Sequence, residues 1–158
     1  MNIFFLDRDP EEAARFHSDQ HVIKMALEST QILCSALHRH GIEAPYKPTH
    51  GGHPSVRWAG DSLPHWRWVR RLALALCEEY AFRFGKNHGC RAVIEALPQV
   101  PAIPDSGWVD PPLVMPESYR TGDPVLAYRD YYRAEKVMFG AKGRATWRGR
   151  EVPEFIAP

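Results

Sequence analysis

The sequence lacks the features that mark several specialised classes of protein. It has only three cysteines, Cys34, Cys77 and Cys90, and no CxxC pair. An odd, scattered set of this kind supports neither a disulfide framework nor a thiolate zinc site. Cys34 and Cys77 fall on apolar helix faces, where they read as small buried residues. No run approaches the ~20 apolar residues of a membrane span. Asp7, Arg8 and Asp9 interrupt the first apolar stretch, so no secretory leader is expected and the protein is read as cytoplasmic, without a membrane partner. Neither sign of charge prevails, with 20 Lys+Arg against 19 Asp+Glu. Any nucleic-acid binding must therefore come from where the cations cluster. No repeat or low-complexity tract is present. The stretch Thr49-His50-Gly51-Gly52-His53 lacks the glycine spacing of a phosphate loop.

What is present points to helices. At 158 residues the chain has the usual size of one domain, and its apolar content suffices for a core. Met1 to Leu6 reads as a buried strand or an extended lead-in. Asp9-Pro10-Glu11-Glu12 is a helix start, with a capping Asp, Pro in the first turn and acids behind it. Helical spacing then runs to His40 and stops at Gly41, with a second cap at Ser18 that would divide a short helix from a long one. Pro54 opens a short helix through Trp58. A long helix runs from about Asp61 or Ser62 to Gly85, and another piece covers Cys90 to Leu97. Residues 98 to 124 hold seven prolines and read as an extended wrap over the helices. Asp123-Pro124 caps a helix through about Phe139, and Trp147 and Phe155 read as anchors of the tail. The expectation is an all-α, compact single-domain fold over residues 1–158, with a long N-terminal helix and an extended Pro-rich segment.

The most informative pattern is His17, His21, Lys24, Glu28 and Gln31. At about 100° per residue these fall within a stripe roughly 80° wide. The plain reading is a solvated face with a Lys24–Glu28 ion pair. The functional reading is a cleft wall. A helix-held carboxylate such as Glu28 suits general-base work or stabilisation of an oxocarbenium ion. His21 or His17 could orient it or hold a phosphate, and Lys24 is an internal amine able to act as a nucleophile if its pKa is lowered.

At these residues the chain resembles the phage-type pyrimidine-dimer DNA glycosylases, also called endonuclease V. There an Asp-Gln-His triplet precedes the catalytic glutamate by the interval that separates His21 of Asp19-Gln20-His21 from Glu28 here. The resemblance implies a compact all-α fold, DNA as partner, cleavage of a pyrimidine's glycosidic bond and scission at the abasic site. By position, His21 would contact DNA and Glu28 would be the catalytic carboxylate. The family's nucleophile is an N-terminal amine freed by Met removal before a small residue. Here Asn2 stands second, and Leu27 and Gln31 stand where the family has arginines.

Arg67, Arg70 and Arg71 lie among Trp66 and Trp68. Arg129, Arg133 and Lys136 lie among Tyr128, Tyr131 and Tyr132, the segment resembling the family's aromatic and basic DNA-contacting patch. Basic residues interleaved with aromatics suit phosphate contact and base stacking, or else are core rings beside solvated arginines. Arg144, Trp147, Arg148 and Arg150 form a basic tail. His50-x-x-His53, with Glu28 or His21, would suit a metal-dependent hydrolase, but loop histidines are more often not ligands, and no metal or other cofactor is expected. The leading expectation is a base-excision enzyme acting on a damaged or modified pyrimidine. Its rivals are that hydrolase and a nucleic-acid-binding module without chemistry.

Overall fold

A computed structural model describes residues 1–157. Among them lie six α-helices: α1 (Pro10–Phe16), α2 (Asp19–Arg39), α3 (Pro54–Asp61), α4 (Leu63–Phe84), α5 (Cys90–Ala96) and α6 (Pro124–Glu135). Among the described residues no strand forms, and one isolated bridge joins Met138 to Arg144. The fold is all-α.

Local chemistry sets the helix ends. Asp9, Ser18 and Asp123 each accept a backbone N–H at the start of α1, α2 and α6, a cap worth about 1 kcal/mol. Gly85 ends α4 in the left-handed region at φ 69°, a conformation glycine adopts without Cβ strain. The break between α1 and α2 has tertiary partners for its freed donors. The Ser18 N–H donates to the Tyr132 hydroxyl at 3.0 Å and the Asp19 N–H to the Thr146 carbonyl at 2.8 Å.

Helices α2 and α4 form the central pair, with α1, α3 and α5 against them. Leu33, Leu37, Trp66, Leu72 and Leu76 are fully buried, and the Trp66 indole donates to the Leu33 carbonyl at 3.2 Å. All three cysteines are buried free thiols. Ile3, Phe5 and Leu6 are fully buried too, yet their segment pairs with no strand. Side chains serve its backbone instead: Arg129 donates to the Leu6 carbonyl at 2.7 Å and Trp68 to that of Arg8 at 2.8 Å. The helix expected to reach Phe139 stops at Glu135. A tight reversal follows, in which Ala145 N–H donates to Val137 O at 2.7 Å and Phe139 N–H to Gly143 O at 2.8 Å.

Asp19 fastens the tail to α2 and α4. Its carboxylate, buried at the helix start, accepts from the Thr146 hydroxyl at 2.7 Å, from the Arg148 N–H at 3.0 Å and from Arg83 at 3.1 Å. The Arg83 side chain is wholly buried and also meets Glu79, which pairs with Arg150 at 2.7 Å. Trp147 is buried, its indole donating to the Phe16 carbonyl at 2.9 Å.

Candidate active site

A cleft of about 210 Å³ opens where α2 meets the first residues of the chain, the Pro-rich wrap and α6; Asn2, Phe4, Lys24, Glu28, Tyr131 and Lys136 are among its walls. Glu28 stands on the α2 wall with its side chain 14% exposed. One carboxylate oxygen accepts the Asn2 N–H at 3.1 Å, and the other lies 3.6 Å from Lys24 Nζ. One backbone donor and one ion pair thus hold the acid in place at the edge of the cleft.

Asn2 positions the lead-in. Its amide donates to the Val114 carbonyl at 2.9 Å, and its side-chain oxygen accepts the Ile3 N–H at 2.8 Å. That turn places Phe4 at φ 37°, in the left-handed region where a non-glycine residue is strained. The strain is held in place by packing. The Phe4 ring lies 5.0 Å from His21, 5.1 Å from Tyr132 and 6.5 Å from Tyr131, centroid to centroid.

His21 forms the wall between this cleft and a second hollow of about 270 Å³, lined also by Gln20, Lys24, Phe139 and Lys142. Its Nδ1 lies 2.6 Å from the Tyr132 hydroxyl. Burial, with His17, Lys136 and Lys24 nearby, pushes the imidazole down to about 3, so it is neutral at physiological pH. His17 ends α1 and is completely buried. Its Nδ1 donates to the Ala13 carbonyl at 2.6 Å, and burial pushes it down to about 4.

Of the stripe expected from sequence, His21, Lys24 and Glu28 meet at the cleft, while His17 lies beneath it on a different helix. Lys24 and Glu28 do form the ion pair, and the pair borders the cleft. Tyr131 also lines the cleft, under the Lys136 ammonium at 5.1 Å and beside Tyr119 at 5.4 Å. Tyr132 is fully buried and leaves no ring surface for a base to stack on. None of Arg67, Arg70, Arg71, Arg129 and Arg133 borders the cleft. Arg71 pairs with Glu11, Arg129 with Asp7 and Arg133 with Asp130. Arg129 also lies over the rings of Phe16 and Phe155. Arg67 is exposed, and the Arg70 Nε is buried without a partner. The cationic side chains at the two hollows are Lys24, Lys136 and Lys142, and Met1 also borders the cleft. Ile23 and Leu27 on α2 and Met138 next to Phe139 are exposed apolar side chains that line neither hollow.

The loop histidines have structural partners. His53 caps α3 by accepting the Ser55 N–H at 3.1 Å. His65 contacts the Trp58 carbonyl at 2.8 Å, accepts the Val109 N–H at 2.9 Å and stacks on Trp58. His50 contacts the Thr49 hydroxyl at 2.7 Å. Among the described residues no group of three or more His, Cys, Asp or Glu is placed to hold a metal ion. Asn2, Phe4 and Val114 were not legible as site residues, because only the folded chain brings them to α2. Comparison with protein-family models, with curated proteins and with solved structures finds no match to this chain.

Proposed function

We propose that the protein is a base-excision enzyme that binds DNA and cleaves the glycosidic bond of a damaged or modified pyrimidine. The observation that carries this reading is the half-buried Glu28 carboxylate, fixed by the Asn2 N–H and Lys24 at a cleft whose other cationic side chain is Lys136. In the step proposed, the bond from the sugar carbon C1′ to the base nitrogen breaks and its electron pair leaves with the base. The Glu28 carboxylate stabilises the oxocarbenium charge left on the sugar. Water adds at C1′ and gives a proton to Glu28, while the departing base takes up a proton from solvent. Alternatively Lys24 gives a proton to Glu28 and its free amine adds at C1′ as the base leaves; the C1′–O4′ bond then opens, O4′ taking up a proton, to leave a Schiff base, and loss of a C2′ proton breaks the C3′–O3′ bond with the 3′ phosphate strand as leaving group.

The target bond is inaccessible inside a stacked duplex, so the nucleotide must be flipped or already single-stranded. The exposed Leu27, Ile23 and Met138 are of the kind that fill a gap left in a stack. Lys24, Lys136 and Lys142 supply phosphate contacts.

The test uses a panel of oligonucleotides carrying modified and dimerised pyrimidines, scored for alkali-labile abasic sites. Glu28→Gln should lose base release by more than about 10²-fold while retaining DNA binding. Full activity in Glu28→Gln would remove this carboxylate from the reaction. Binding without release of any base would leave a DNA-binding module. Borohydride trapping then separates the attacking groups: a covalent adduct on Lys24 marks the amine route, an adduct on Met1 or Asn2 moves it to the first residues, and release without an adduct marks water.

A further inference from the structure

We infer that Tyr132 is a positioning residue that fixes His21 as the neutral Nε2–H tautomer, aiming a hydrogen-bond donor at the oxygen of the departing pyrimidine. This inference rests on the base-excision reading and adds a second functional group to it.

The hydrogen bonds around Tyr132 favour one tautomer. Its phenolic oxygen accepts the Ser18 N–H at 3.0 Å, a backbone donor that cannot reverse. Its single proton then has two acceptors within reach, His21 Nδ1 at 2.6 Å and Ser18 Oγ at 3.3 Å. The shorter contact is the better place for the proton, since 2.6 Å is hydrogen-bond distance and 3.3 Å is long for an O–H donor, and Ser18 Oγ lies 3.3 Å from the phenol and from His21 Nδ1 alike. The Ser18 oxygen is already engaged by the His21 N–H at 3.4 Å. With Nδ1 accepting, the ring proton sits on Nε2. Nε2 has no protein partner among the described residues and is not among the sealed, unpartnered atoms, and the ring borders both hollows.

The surroundings keep the ring neutral and still. The rings of Phe4, Tyr132 and Phe139 enclose it at 5.0, 5.1 and 5.6 Å. The titratable groups facing it are His17 at the end of α1, Lys24 and Glu28 on α2, Tyr131 and Tyr132 on α6, Lys136 just after α6 and Lys142 in the reversal. Burial is the largest influence, and the cationic neighbours oppose a further positive charge. Burial likewise raises the Tyr132 phenol, so it retains its proton. As the glycosidic bond breaks, negative charge spreads from the ring nitrogen onto the adjacent carbonyl oxygen. A neutral Nε2–H can donate to that oxygen throughout, and no proton has to be transferred.

The test begins with the ligand-free protein. Long-range ¹⁵N–¹H spectra of the histidine rings should show His21 as Nε2–H at pH 7, and Tyr132→Phe should convert it partly or wholly to Nδ1–H. A Nδ1–H ring in the wild-type protein, or an unchanged tautomer in Tyr132→Phe, overturns the inference. Kinetics on the cleaved oligonucleotide form the second arm. Tyr132→Phe should lower kcat at least about 10-fold with little change in KM, and the wild-type profile should have no limb near pH 6.5. His21→Gln, whose amide reaches the Nε2 position, should retain more activity than His21→Asn, whose amide reaches only Nδ1. Equal activities in these two folded variants would also overturn it. The two readings fail separately. An active Glu28→Gln variant refutes base excision through Glu28, whereas a wrong tautomer beside an inactive Glu28→Gln refutes only the role of Tyr132.

Discussion

Lowering the pH from 7 to 5 should destabilise the fold through the histidines beneath the cleft. His17 and His21 titrate at about 4 and about 3 in the folded chain, against 6.5 for the ordinary group. As the pH falls through 6.5 the unfolded chain binds protons that the folded chain refuses, so the equilibrium moves toward unfolding. The stabilisation is complete above the unfolded value and is lost progressively down to the folded one. At pH 5, about 1.5 units below the ordinary value, each histidine costs about 2 kcal/mol, and the pair about 4 kcal/mol. That is a large share of the roughly 5–15 kcal/mol that holds a domain together. His53 and His65, also lowered by burial, act in the same direction. The lowered carboxylates Asp9, Asp110 and Asp123 start from 3.8; their contribution is present above that value and lost only below it, outside this window. The assay is the urea midpoint at pH 7, 6 and 5. His17→Asn keeps a donor for the Ala13 carbonyl and removes the titration, so it should flatten the dependence. An unchanged wild-type midpoint between pH 7 and 5, or an equally steep loss in His17→Asn, would refute the reasoning.

Other outcomes follow from the same geometry. Asp19→Ala leaves the buried Arg83 with less compensation and should cost about 3 kcal/mol in chemical denaturation. Tyr132→Ala should cost about 3–5 kcal/mol as a large core truncation, whereas Tyr131→Ala, at a ring only partly buried against the core, should lower the melting temperature less and weaken single-stranded DNA binding by roughly 1–3 kcal/mol. Lys136→Ala and Lys142→Ala should each lower the salt slope of DNA affinity by about one unit, and titrations of labelled oligonucleotides at several salt concentrations measure it.

Much of the scaffold was legible because its signals are local. Asp9-Pro10, Ser18, Asp123-Pro124 and Gly85 mark helix ends with their own side chains or backbone freedom, and they stand there in the structure. Lys24 and Glu28 were legible for the same reason, one helical turn apart. His17 was not placed correctly because the chain turns extended at His17 and Ser18, so helical stepping does not carry across that junction. Tyr132 gave the pattern of a surface aromatic between Tyr131 and Arg133, but neighbouring helix residues face different ways, and its side is the one turned to His21. Asn2 and Phe4 were legible only as part of a buried lead-in, since their place at the cleft comes from contacts with Glu28 and with the rings around His21. The end of α6 was overextended because Val137 continues the apolar pattern, although it reaches the core from the reversal instead.

The Tyr132–His21 and Asn2–Val114 contacts join residues 111 and 112 positions apart. During synthesis, then, α2 and the lead-in are made long before the wrap and α6, which supply Val114, Tyr131 and Lys136 to the far walls of the cleft. A chain released early, or one whose final third is clipped, keeps Glu28 but lacks the phenol, Lys136 and Phe139. Prematurely terminated fragments would therefore carry the Glu28 carboxylate without much of the enclosure that surrounds it in the whole fold.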